Sequence, residues 1–70
     1  SGDSVFFVKV EEIDWIESEG NYVRLHVGKQ SHIIRETLSR IESQLNPEKF
    51  TRIHRTTIVQ TDRISRIEPR

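Results

Sequence analysis

Seventy residues with 11 Lys and Arg against 11 Asp and Glu, no cysteine and no methionine allow one small domain, which buries only about 60% of the surface its unfolded chain exposes. The lack of cysteine excludes disulfides and thiolate metal sites, in keeping with a reducing cytosol, and apolar runs such as Val5-Phe6-Phe7-Val8 fall far short of the roughly 20 residues that span a bilayer. A chain that starts Ser1-Gly2 and holds no methionine reads as a piece of a longer protein, with residues 1 and 2 a cloning remnant.

The pattern predicts short strands and a single helix, without repeats or low-complexity tracts. Val5 to Val10 is apolar and aromatic enough for a first strand, and Glu11-Glu12-Ile13 reads as a turn or one short helical turn. A second strand is expected over Asp14 to Ser18, with Trp15 and Ile16 as its apolar members. Gly20-Asn21 then reverses the chain, because both residues tolerate positive φ and an apolar run follows at once. In that third strand Val23, Leu25 and Val27 share one face and Tyr22, Arg24 and His26 the other, the alternation of a sheet with one wet side. Gly28-Lys29 is a further turn, and Ser31 to Arg35 a fourth strand with Ile33 or Ile34 directed inward.

Thr37 to Leu45 is the helix. Thr37 suits the N-cap, Leu38, Ile41 and Leu45 make one apolar stripe, and Asn46-Pro47 stops the run. About nine residues are marginal as a helix in water, so its stability must come from laying that stripe on the sheet. Arg40, Glu42 and Gln44 are left to solvent. Phe50 is expected to anchor the core, followed by one strand from Arg52 to Gln60 and a last one near Ile64 to Ile67.

The run Phe50-Thr51-Arg52-Ile53-His54-Arg55-Thr56-Thr57-Ile58-Val59 is the most informative, because a core strand normally leaves charge to the loops. Here Ile53, Ile58 and Val59 are enough to anchor the strand, and Arg52, His54, Arg55 and the two hydroxyls ask for an anionic partner. Charge position supports this. Residues 1–23 hold one Lys against six Asp and Glu, a net of −5, so residues 24–70 carry +5. A local cationic face suffices for phosphate even when the total cancels, since screening removes charges beyond about 10 Å at 0.1 M salt.

Three blocks in order, Ile13-Asp14-Trp15-Ile16-Glu17-Ser18-Glu19-Gly20-Asn21-Tyr22-Val23 with Arg24-Leu25, then Arg35-Glu36-Thr37-Leu38, then Phe50 to Thr56, resemble the LytTR DNA-binding domain of bacterial response regulators. The resemblance covers nearly the whole chain. It implies a mostly-β fold with one short helix in the order β-β-β-β-α-β-β, with residues 1–70 forming one partial domain. Two departures stand out. The family often has Asn where Gln60 stands, which questions any backbone capping by that residue, and it usually runs on some thirty residues through another hairpin and a third DNA contact. The chain is therefore expected to be truncated, with unpaired sheet edges.

What the resemblance implies in function is sequence-specific binding of double-stranded promoter DNA at paired direct repeats, as a homodimer, by the cytoplasmic effector part of a two-component or related regulator. Its receiver or sensor part would lie outside this chain, and no cofactor, metal or membrane is implied. Asn21 and Tyr22 match the first contact loop, where Asn offers a paired donor and acceptor to adenine and Tyr reaches phosphate or sugar. Arg52, His54, Arg55 and Thr56 match the second, with Arg55 the candidate base reader, and Arg24 and Lys49 are expected to touch phosphate irrespective of sequence. In a regular strand, however, Arg52, His54 and Thr56 would face away from Arg55, so the entry must be irregular or one set structural. The reading depends on the loops bearing Tyr22 and Arg55 standing side by side.

Catalysis finds little support. His26, His32 and His54 show no metal-ligand spacing, no glycine-rich phosphate loop occurs, and so short a chain leaves little room for a deep pocket. The alternative is a small β module that binds or dimerises with proteins through an edge strand. Salt separates the two, because only phosphate contacts weaken steeply with it.

Overall fold

In the computed structural model, which describes residues 8–64, five strands form one antiparallel sheet with a short helix on one face. β1 spans Trp15–Glu19, β2 Tyr22–Val27, β3 Gln30–Ile34, β4 Phe50–His54 and β5 Thr57–Gln60, and helix α1 spans Leu38–Ser43. A 3-10 turn over Val10–Glu12 precedes β1, as the Glu11-Glu12 run suggested, and a short helical turn α2, Thr61–Ile64, follows β5. Of the strand expected over Val5 to Val10, residues 5–7 lie outside the described residues and the other half is not strand, Val10 already opening the 3-10 turn; of that expected over Ile64 to Ile67, Ile64 ends α2 and the rest lies outside the described residues.

The sheet order is β3-β2-β1-β5-β4, so β1 is the central strand and β5 lies against it. Trp15↔His26 through Glu19↔Tyr22 set its register on one side, and Trp15↔Val59 through Glu17↔Thr57 on the other. Residues directly opposite in such pairs share a face. Ile16, Leu25 and Ile58 therefore point to the same side, joined there by Val23, Leu38, Phe50 and Ile13, all buried. The other face carries Trp15 stacked flat on His26, with ring centroids 3.9 Å apart, and the ion pairs His26–Glu17 and Arg24–Glu19, each at 2.7 Å.

Gly20 and Gly28 have φ of 61° and 60° and each opens a two-residue turn. A positive φ at the first central position is the type II′ pattern, whose twist matches the flanking strands. A Cβ at either would meet nothing within 4 Å, so glycine is required there by the backbone alone.

The helix is shorter than its expected Thr37 to Leu45 span. Thr37 does cap it, accepting from the Arg40 backbone N–H at 3.1 Å. The C-terminal end tightens because Leu45 N–H bonds the Glu42 carbonyl three residues back, and Asn46 Oδ1 then accepts from Glu48 N–H and starts the turn into β4. Of the stripe, Leu38 is buried while Ile41 and Leu45 pack against the core margin.

Two expectations fail for one reason. The strand expected from Arg52 to Gln60 is a hairpin, β4 and β5, reversed at Arg55-Thr56, and Ile53 is 57% exposed rather than an anchor. The register shifts between Arg52 and His54, and such a bulge puts Arg52 on the helix face and His54 on the other. The turn has no glycine and no positive φ among its residues, so side chains hold it. Gln60, by contrast, answers the question raised by the missing Asn. It is buried, and its Nε2 donates to the carbonyls of Glu11 and Ile13 at 3.1 and 2.6 Å, tying the segment before β1 to β5.

Candidate nucleic-acid interface

Topology gathers the candidate segments before any side chain is considered. β1 is antiparallel to both β2 and β5, so its C-terminal end meets the start of β2 and the start of β5. β3 is antiparallel to β2 and ends beside Val23, and β4 ends beside Thr57. Three connections thus emerge at one end of the sheet: the β1–β2 turn, the β3–α1 linker and the β4–β5 turn. A backbone bond from Ser18 N–H to the Thr56 carbonyl, 2.9 Å, fastens two of them together.

Between them lies a cleft of about 430 Å³ lined by Asn21, Tyr22, Arg35, Thr37, Arg52 and Arg55, among others. Tyr22 and Arg55 are both exposed on its wall. The adjacency required of the two loops is present.

Arg52 turns inward. Its guanidinium donates to Ser39 Oγ at 3.1 Å, to Glu42 at 2.9 Å, and to the carbonyls of His54 and Arg55. It therefore pins the helix to the β4–β5 turn, and Glu42, expected from its helix position to face solvent, is its counter-ion. His54 closes the same turn from the other side: its Nδ1 accepts from Thr56 N–H at 3.2 Å and lies 2.8 Å from Thr56 Oγ1. An accepting Nδ1 places the proton of the neutral ring on Nε2. The Thr56 hydroxyl is in turn 3.3 Å from that of Thr57. Arg52, His54 and Thr56 thus brace the tip, and Arg55 is the side chain left to project.

Arg24 sits on the open face of β2, held by both Glu19 oxygens at 2.7 and 3.2 Å and by Ser31 Oγ at 2.9 Å. That hydrogen bond keeps the Glu19 carboxyl below its ordinary range and raises Arg24 above its own, against a smaller opposing effect of burial. Lys49 does not join the group. It precedes β4 whereas Arg55 follows it, so the two stand at opposite ends of a five-residue strand, about 20 Å apart along the chain axis at roughly 3.3 Å per residue, and Lys49 lines a second cleft with Asn46, Gln60 and Asp62.

The acidic-first, basic-later division of the sequence does not become two ends of the molecule, because acidic β1 is the central strand. The carboxylates near the cleft are neutralised by partners instead: Glu19 by Arg24, Glu36 by Arg40 and Glu42 by Arg52. Arg35 and Arg55 have no side-chain hydrogen bond or ion pair among the described residues, and both line the cleft. Arg35 belongs to the second block of the family resemblance but is not among the contact residues that the resemblance implies.

A family model described as the LytTr DNA-binding domain matches residues 3–70. The sensory transduction protein LytT of Bacillus subtilis is 31% identical over 68 residues, which is 97% of this chain and 28% of that protein. The CO-responsive transcriptional regulator RcoM of Rhodospirillum rubrum is 31% identical over 58 residues, 83% of this chain and 25% of its own. The chain thus spans about a quarter of the length of these curated relatives. Among solved structures, the LytTr DNA-binding domain of a Bacillus cereus response regulator has the same fold, with a TM-score of 0.77 at 19% identity over 99% of this chain and 61% of that one.

Proposed function

We propose, from the premise that the chain belongs to the LytTr DNA-binding domain family, that the end of the sheet bearing the three connections is laid on duplex DNA and reads its sequence. The observation that carries this is the convergence of Asn21, Tyr22 and an unpaired Arg55 on one cleft whose nearby carboxylates are already neutralised. A guanidinium without a counter-ion on a projecting turn is suited to fork onto guanine O6 and N7. Asn21 and Tyr22 enter beside it on an exposed turn. Arg52, His54 and Thr56 serve the contact by shaping the tip, Arg24 flanks it, and Lys49 stands outside it.

In the longer protein this unit would act as the cytoplasmic effector part of a bacterial transcription regulator. A sensing or receiver part would promote pairing on direct repeats of promoter DNA, with bending that costs on the order of 1–6 kcal/mol offset by phosphate contacts. No helix among the described residues is long and apolar enough to cross a membrane.

Fluorescence anisotropy of a promoter-length duplex at 50 and 200 mM salt tests the reading. Binding is expected to weaken with a log-log slope of about −0.9 per phosphate engaged. Weak binding that ignores salt would favour the protein-interaction module instead.

The Arg24–Glu19 pair supplies a second expectation. Glu19→Gln removes an anion from the contact end and releases Arg24, so duplex affinity at pH 7 should rise about two- to fivefold; unchanged affinity would show that Arg24 takes no part. The same pair has a pH signature. Because the folded carboxyl titrates below its ordinary 4.5, the pair supports the fold above that value and its support fades as the pH falls through the folded one. The glutamine variant should lose that acid limb in a thermal-melt series.

A further inference from the structure

We propose that Arg35 is a third contact, a phosphate anchor on the β3–α1 linker that works beside the base-reading Arg55. The inference rests on the duplex-binding reading above and adds to it a segment and a chemistry. Arg35 follows β3 directly, and β3 ends beside Val23, at the same end of the sheet as the β1–β2 and β4–β5 turns. It lines the cleft with Arg55, Asn21 and Tyr22.

Among the six arginines of the described residues, Arg24, Arg40, Arg52 and Arg63 each hold a carboxylate. Arg35 and Arg55 do not, and both line the cleft, beside the Arg52 that is already engaged. Two guanidiniums facing one space repel each other unless an anion enters between them. The neighbouring acid cannot supply it, since the Glu36 carboxylate is engaged by Arg40 at 2.8 Å on the helix side. Arg52 cannot take Arg35's place, being spent on Glu42, Ser39 and the turn carbonyls.

The two free cations differ in reach. Arg55 sits at the tip of a two-residue turn and projects from it, as a residue entering a groove must. Arg35 sits on a linker set between a strand end and the capped helix start, where it meets the strand bordering that groove. Its guanidinium therefore takes the phosphodiester of the duplex backbone, and fixes register without reading sequence.

The test compares the parent chain with Arg35→Ala, Arg35→Lys and Arg55→Ala on a selected and a scrambled duplex across a salt series. Arg35→Ala should weaken both duplexes by about tenfold, with a salt slope shallower by about 0.9, and Arg35→Lys should recover most of the loss. Arg55→Ala should remove the preference for the selected duplex instead. Melting of Arg35→Ala should match the parent, because Arg35 is exposed and bonds nothing among the described residues. Parent-like affinity and slope in Arg35→Ala would overturn the anchor while leaving the duplex reading intact, and a loss confined to the selected duplex would overturn the phosphate role. Failure of the parent to bind either duplex would take down the duplex reading itself.

Discussion

Arg55→Ala is expected to cost about 1–3 kcal/mol of affinity for the cognate site, five- to 150-fold, and to relax base preference at one position while affinity for random duplex falls little. The reasoning is local. Arg55 contributes its carbonyl, not its side chain, to the turn, where that carbonyl accepts from Arg52. Truncating the side chain leaves every described bond of the hairpin in place, so a change in binding reports recognition and not collapse. Binding-site selection with the variant is the decisive measurement. If it returned the unchanged consensus, the base would be read elsewhere, with Asn21 the next candidate.

Ile16→Ala should produce the largest loss of stability, about 2–5 kcal/mol. Ile16 has no exposed surface and lies on the central strand, between Leu25 on one side and Ile58 on the other. A chain of this length has a total stability of only about 3.5–10 kcal/mol, so the variant should be partly unfolded at 37 °C. Denaturant titration should show a lower midpoint at a similar slope. Duplex affinity should fall in proportion to the folded fraction and return when stabilising osmolyte is added. A loss below about 1 kcal/mol would mean that the core is not organised around β1.

Much of the scaffold is legible from local chemistry. Gly20 and Gly28 announce their turns, the Val23-Leu25 alternation announces a half-wet strand, and Thr37 with Pro47 brackets the helix. The β4–β5 reversal is not legible, because Arg55-Thr56 carries none of the residues that signal a turn, and the run from Phe50 to Gln60 reads as one strand. What makes the turn is partly non-local: His54 folds onto Thr56 within the turn, but Arg52 is held by Ser39 and Glu42, contacts that exist only once the helix has docked. For the same reason the candidate site was read only in part. Residue type could nominate Arg52 and Arg55 alike, but only the ion pairs distinguish the guanidinium that is spent from the one that is available. Arg35 was hidden for the converse reason, since a lone arginine on a linker has no pattern until the sheet brings it beside the other loops.

The glycine-free turn separates two tasks between adjacent residues. Posture is set by positions 52, 54 and 56, through bonds to the helix and to the turn backbone, while position 55 enters none of them with its side chain. If position 55 reads the duplex as proposed, a library that randomises it alone should sample new base preferences on an unaltered mount, whereas one that also varies position 52 should unhinge the mount and scramble its own readout.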